Sequence, residues 1–399
     1  MRKNLIITIA LVIAGMLTSR AQTYGQLLGQ DDDVNTITTA VPFLLIAPDS
    51  RSGAMGDVGV ASTPDANSQH WNPAKYAFIE DKMGISVSYS PWLRDLVNDI
   101  NLSYIAGYYK LDKMQTLSMS LRYFSLGEIT FTNNIGQNIG QYKPNEFAVD
   151  AAYSRLFSDN WSGSVVLRYI NSNLTSGQYV GGAETQVGQS VAADVAVYHQ
   201  SEVDLGDREG IFAFGANISN IGAKISYSET LERDFIPINM RIGAAYTTQL
   251  DQYNKISIMA DFNKLLVPTP PVYGVDTSGQ YFIAKGEDPN RSVVGGMLGS
   301  FSDAPDGFEE EIREVTAGVG LEYWYDNQFA IRGGYFYEHE TKGNRKYFTM
   351  GVGFKYNVFG MDFSYLIPVE QRNPMENTLR FTLMFDFEAF QNQQNKKEG

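Results

Sequence analysis

The chain reads as all-β, a 14-stranded antiparallel transmembrane β-barrel with an N-terminal plug segment. Three observations predict this. Apolar and polar residues alternate with period two through segments of about ten residues, these segments number an even fourteen, and the links between them are alternately tight and long.

The alternation is clearest near the C-terminus. Val315, Ala317, Val319, Leu321, Tyr323 and Tyr325 share one face, and Thr316, Gly318, Gly320, Glu322 and Trp324 share the other. Leu379, Phe381, Leu383, Phe385 and Phe387 likewise oppose Thr378, Arg380, Thr382 and Asp386. A soluble β-sandwich also alternates, but its strands average about 5–6 residues, whereas a membrane strand needs about 9–11. An arginine facing lipid at mid-membrane costs about 2–4 kcal/mol. Arg122, Arg168, Arg241, Arg332 and Arg380 are therefore predicted to line the lumen, with Asp150, Asp194, Asp261 and Glu322 as counter-charges. The set reads as electrostatic filling of a barrel; a selective permeation path is the sharper alternative.

In chain order, Arg2 and Lys3 precede an uncharged apolar run from Leu5 to Leu17, and Ser19-Arg20-Ala21 places small residues before Gln22. Residues 1–21 are expected to be a signal peptide, since the run is short for a helical span. Residues 22–82 carry the apolar stretch Val41 to Ala47 and the small-residue stretch Ser52 to Ala61. Such content is costly in water, so this periplasmic segment is expected to pack into the lumen as a plug; a flexible periplasmic arm is the alternative. Asp31, Asp32 and Asp33 read as a solvated acidic patch. They lack the spaced oxygens of a calcium site, and no metal or cofactor is expected.

The barrel is predicted over 83–387, with strands at 83–90, 99–110, 114–124, 146–157, 161–171, 189–200, 210–219, 238–250, 254–264, 313–325, 328–338, 346–357, 358–367 and 377–387. Links after even-numbered strands are tight, as at Lys110 to Lys113 and Tyr325 to Gln328. Links after odd-numbered strands are mostly long, at 125–145, 172–188, 220–237 and 265–312. Short periplasmic turns and long extracellular loops are the rule for bacterial barrels, so the parity places both termini in the periplasm. The longest link carries Tyr273, Tyr281, Phe282, Met297, Leu298, Phe301 and Phe308 among polar residues, together with the acidic run Glu309 to Glu311. Links this long are functional or disordered, and exposed aromatics mark a partner-binding surface. Residues 388–399 form a polar periplasmic tail, which moves Phe387 away from the chain end where barrel-assembly signals usually lie.

Composition narrows the function. The 399 residues carry a net charge of −14, which argues against nucleic acid. The absence of cysteine excludes disulfides and thiol chemistry. There are 3 histidines, His70, His199 and His339, and no G-x-S-x-G elbow, so no enzymatic constellation is visible. His199 and His339 fall at predicted strand ends and read as solvated surface groups.

The block Asn72-Pro73-Ala74 before the first strand resembles the FadL-like superfamily of outer-membrane proteins. Asn35 to Leu44, Ser50 to Ala61, the block Asn72 to Ala77 and Tyr89-Ser90-Pro91-Trp92-Leu93 together resemble the PorV family of the Bacteroidota type IX secretion system. The resemblance implies a non-enzymatic adaptor in the bacterial outer membrane, with Asn72, Pro73 and Ala74 as a plug motif. It further implies that the C-terminal signal domain of secreted cargo is bound at a large translocon barrel of the SprA/Sov type. The cargo is then carried to a sortase-like subunit of the attachment complex and joined to lipopolysaccharide. Two alternatives remain open at this point: a FadL-type channel for hydrophobic small molecules, and a barrel enzyme acting on lipid A or a surface polymer.

Overall fold

The computed structural model describes residues 34–387 apart from 94–98, 133–134, 175–178, 181–182, 207, 229–232, 277 and 371–374. The expected signal peptide, the Asp31 to Asp33 patch and the polar tail lie outside the described residues. From Asn35 onward the chain forms one unit.

Fourteen strands close into a barrel: β1 (Met83–Pro91), β2 (Ile100–Lys110), β3 (Gln115–Leu126), β4 (Asn145–Leu156), β5 (Trp161–Asn173), β6 (Gly188–Leu205), β7 (Arg208–Gly222), β8 (Asn239–Gln249), β9 (Asn254–Leu265), β10 (Thr316–Tyr325), β11 (Phe329–Tyr337), β12 (Lys346–Tyr356), β13 (Phe359–Pro368) and β14 (Leu379–Asp386). Each pairs antiparallel with the next. β1 returns to β14 with Gly84 opposite Asp386 and Ser88 opposite Thr382. Lipid offers no partner to a backbone N–H or C=O, and closure is what removes the unpaired edges. Side chains such as Leu121, Leu167, Val191, Ile258, Val319 and Phe381 point outward as an apolar band, while their neighbours in sequence point in.

The predicted strand count, order and link parity all match. The tight turns use residues that tolerate positive φ: Asp326 and Asn327 both adopt it (52° and 51°) in the three-residue link between β10 and β11, where Gln328 N donates to Tyr325 O at 3.0 Å. Four expectations need correction. β6 runs on to Leu205, past the predicted 200, and β7 begins at Arg208, with the turn at Gly206 (φ 73°), because Ser201 to Leu205 continue the polar–apolar alternation. His199 therefore sits within β6 and not at its end, its ring centroid 4.5 Å from that of Trp161 and tilted 37° to it. β10 begins at Thr316, since residues up to Arg313 belong to a short helix. His339 caps the 3-10 turn Glu340–Lys342 by accepting from Thr341 N.

The core of the molecule is the lumen. Inward-facing side chains pack against residues 35–82, which hydrogen-bond to strands from β3 round to β14. At the long-loop end the contact is apolar: Val41, Phe43 and Leu44 meet Leu102, Phe124, Ala148 and Ile170, and Ile225, Ile236, Ile238, Leu266 and Val267 complete the cluster. Deeper in, the fit is backbone against backbone. A Cβ on Gly334 would lie 2.1 Å from the carbonyl carbon of Met55 and 2.2 Å from Gly56 N. One on Gly351 would lie 2.5 Å from Ala54 Cβ. Glycine on these inward positions lets the segment approach the wall.

This predicts a sharp asymmetry between neighbouring glycines. Gly334→Val should leave a closed, heat-modifiable barrel but displace the inner segment, read as new tryptic cleavage after Arg51 and Lys75. Gly333→Val, whose nearest neighbour is Thr349 O at 3.8 Å, should leave the cleavage pattern of the parent.

Candidate functional site

The inner segment is built from short capped turns. Asp49 Oδ2 accepts from Ser52 N at 2.9 Å and caps the turn Ser50–Gly53; its other oxygen accepts from Trp71 Nε1 at 2.6 Å. Asn72 Oδ1 accepts from Ala74 N at 3.0 Å and caps the 3-10 helix Pro73–Phe78, with proline at the first position, where no N–H is needed. The same Asn72 donates through Nδ2 to Val60 O and Val197 O, at 3.0 and 2.9 Å. Ser154 Oγ donates to Pro73 O at 2.8 Å and Ser162 Oγ to Ala74 O at 2.7 Å. The Asn-Pro-Ala block is thus a helix cap bolted to β4, β5 and β6.

All five predicted lumenal arginines are buried and inward, but they do different things. Arg168 bridges Asp150 and Asp194, Nε to Asp150 at 2.6 Å and Nη2 to Asp194 at 2.9 Å, and also bonds Asn220. Arg332 bridges Glu322 and Asp362, both at 2.7 Å. Glu322 is held from its other side by Arg51 of the inner segment, at 2.9 and 2.8 Å, and Arg51 continues to Asp65 at 2.9 Å. Arg122 donates to Leu44 O at 2.7 Å and to His70 Nδ1 at 2.6 Å. Burial first, then the guanidinium groups of Arg122, Arg241 and Arg168, hold the His70 pKa well below its ordinary value, so its ring stays neutral and accepts. Arg380 reaches Gly53 O at 3.3 Å. Arg241 donates to Asn263 Oδ1 at 2.7 Å and lies over the Trp71 ring, 4.6 Å from its centroid. Asp261 is the exception among the expected counter-charges. Its Oδ2 accepts from Gly59 N and Val60 N at 2.7 and 2.9 Å, and it forms no ion pair among the described residues.

The long link divides by chemistry. It carries a hairpin, Val272–Val275 with Tyr281–Lys285, and two short helices, Val293–Gly299 and Phe308–Arg313. The acidic run is part of its anchor. Lys264 Nζ binds Glu311 at 2.8 Å and Glu314 at 2.6 Å, and Lys342 Nζ binds Glu310 at 2.5 Å and Glu314 at 3.1 Å. Asn35 Nδ2 donates to both Glu310 and Pro270 O at 3.0 Å. The aromatics turn the other way. Tyr273, Tyr281, Phe282, Leu298, Phe301 and Phe308 are exposed, Tyr281 by 79% and Phe308 by 78%. Tyr273 and Tyr281 share one face of the hairpin through the pairs Tyr273–Ile283 and Val275–Tyr281, and Phe282 lies on the other beside Gly274. Met297 departs from the predicted set: it packs against the apolar cluster at the barrel's end.

Between the inner segment and the barrel wall, on the side of β8 to β12, lies a cavity of about 460 Å³. Thr36–Thr39, Pro42, Leu45 and Trp71 border it from the inner segment; Arg241, Asn263, Phe336, Arg345 and Tyr347 are among the residues that border it from the wall and its loops. Arg51, Asp49, Lys264, Lys342 and Glu314 were not singled out from sequence. The signal for Arg51 was present, a lone cation inside a small-residue stretch; Lys264 and Lys342 find their acids only in three dimensions.

The family model described as type IX secretion system protein PorV matches residues 29–272. Among solved structures, the Ralstonia pickettii toluene transporter TbuX is similar at 10% identity, over 84% of this chain and 97% of that one, with a TM-score of 0.45. The Pseudomonas putida toluene transporter TodX is similar at 14% identity over 84% and 96%, with a TM-score of 0.46. A Pseudomonas aeruginosa FadL homologue is similar at 9% identity over 89% and 100%, with a TM-score of 0.45. No curated protein matches the sequence.

Two variants check the interior geometry. Glu322→Gln leaves Arg51 and Arg332 facing each other with one carboxylate fewer, and breaking a buried pair costs about 3–5 kcal/mol; the urea midpoint of the barrel in detergent should fall accordingly. Lys264→Met combined with Lys342→Met should release the 265–312 link to protease while the barrel stays heat-modifiable.

Proposed function

The chain belongs to the PorV family of type IX secretion system proteins, and we propose that it works there as a non-enzymatic adaptor. In this reading it binds the C-terminal signal domain of secreted cargo at the large translocon barrel of the SprA/Sov type. It then carries the cargo to the cell-surface attachment complex, where a sortase-like subunit transfers it to lipopolysaccharide. The short-turn end and both chain termini face the periplasm, the long-loop end faces the exterior, and residues 22–82 act as the plug.

One observation supports the reading above others. The lumen is occupied by the chain's own segment, held by Arg51, Arg122, Asp261 and Arg380, while the long link presents its aromatics outward on an ion-paired base. A barrel filled in this way is suited to holding partners at its rim. Six of the seven predicted contact residues, Tyr273, Tyr281, Phe282, Leu298, Phe301 and Phe308, are available for that role. The second reading, a FadL-type channel for hydrophobic small molecules, draws on the apolar cluster beneath the long-loop end.

Affinity capture from detergent extracts separates the two. The adaptor should retain a very large barrel or cargo bearing a C-terminal signal domain. Deleting 270–308, which removes the aromatics but keeps Glu309 to Glu314, should preserve the heat-modifiable barrel and abolish that capture. Capture of bound alkyl carboxylate alone, with normal cargo secretion in a deletion strain, would overturn the adaptor reading in favour of the channel.

A further inference from the structure

Four residues of the inner segment carry unused backbone groups. Asn35 N donates to Thr341 O and Ala40 N to Phe235 O, both at 2.9 Å, but Thr36, Ile37, Thr38 and Thr39 make no backbone hydrogen bond to any described residue. Thr36 and Thr38 are exposed, and Ile37 and Thr39 are half-buried. That period is the signature of extended chain. All four border the 460 Å³ cavity. An extended edge with free N–H and C=O groups is a template for another strand, and peptide-binding proteins use such edges, with the backbone supplying affinity.

The same cavity holds a cation that forms no ion pair among the described residues. Arg241 is 7% exposed. Its Nε is taken by Asn263 and its Nη1 makes one long contact, 3.4 Å, to His70 O; Nη2 donates to no described residue, and no carboxylate forms an ion pair with it. The other cations of the lining are matched. Lys342 is held by Glu310 and Glu314, and Arg345 by Glu338 at 2.7 Å. Trp71, Phe336 and Tyr347 add aromatic surface beside it.

We propose that this cavity receives the carboxyl end of an extended polypeptide, whose last residues pair with Thr36–Thr39 and whose terminal carboxylate lies on Arg241. The volume falls within the range of about 300–1,000 Å³ typical of ligand clefts, and four residues of extended chain reach about 13 Å. A fully formed guanidinium–carboxylate contact is among the stronger polar interactions, and Arg is suited to it by its planar fork. The site rests on the adaptor reading: a C-terminal signal domain brings such a carboxylate with it.

The test uses the full chain in detergent and one purified C-terminal signal domain from a secreted protein of the same organism, in three forms: free carboxylate, C-terminal amide, and extended by six Gly-Ser residues. Affinity is read by fluorescence anisotropy. The amide and the extended form should bind the parent about tenfold more weakly than the free carboxylate, the size expected for one charge-assisted contact. Arg241→Gln should weaken the free form to the level of the amide and make the protein indifferent to amidation. Thr38→Pro, which deletes one N–H and is compatible with extended backbone, should weaken all three. Equal binding of the three forms to the parent would overturn this site while leaving the adaptor reading intact. Binding of none would overturn both. Displacement of the domain by laurate, with the same dependence on Arg241, would assign the cavity to alkyl carboxylates and overturn the peptide.

Discussion

A strand in lipid can satisfy its backbone only on a neighbouring strand, and that constraint shapes everything else in this molecule. Fourteen antiparallel strands meet it by closing β1 onto β14. Closure at this strand number leaves an interior too wide for side chains alone to fill, since about eight strands already suffice for a side-chain-filled barrel. The chain answers with residues 35–82, which supply their own apolar, polar and charged surfaces to the wall. The barrel and its filling are therefore one core: the inward glycines of β10, β11 and β12 have meaning only against Met55 and Gly56 and Ala54.

The charges follow from the same constraint. With lipid outside, a cation on a strand has only the lumen to face, and once desolvated there it requires a partner. Some partners are other strands, as for Arg168 with Asp150 and Asp194. Others belong to the filling: Arg51 enters the wall's acid at Glu322, and Arg122 and Arg380 bind carbonyl oxygens of Leu44 and Gly53. Each such contact selects one placement of the segment over others, because a shifted segment would leave a buried charge alone. Arg241 is the residue for which this matching is incomplete, and it faces the 460 Å³ cavity beside the inner segment.

Most of the barrel was legible in the sequence because its two periods are local. Alternation identifies a strand within ten residues, and link length identifies the end to which a strand points. What misled was also local. The predicted end of β6 at 200 fell short, since Glu202 and Asp204 lie on a hairpin that continues past that boundary. The site was legible in part. The inward set Arg122, Arg168, Arg241, Arg332 and Arg380 could be read from lipid energetics alone. Their partners could not, because nothing near Glu322 in sequence announces Arg51, 271 positions away. The anchoring role of the acidic run Glu309 to Glu311 was not legible for the same reason: Lys264 and Lys342 reach it from separate elements.

The long separations bear on how the molecule comes together in time. Ser50 N finds its acceptor on Thr382, 332 positions later, and Gly56 N finds Thr349, 293 positions later. Contacts this distant in sequence form late, after much of the loop-closing entropy has been lost. The stretch of chain synthesised first among the described residues is thus among the last to be fully bonded. Until β14 arrives, its apolar run from Val41 to Ala47 and its buried-to-be charges must wait without their final partners. Biogenesis of this protein is in that sense bound from both ends, with the closing strand completing the wall and the interior in one event.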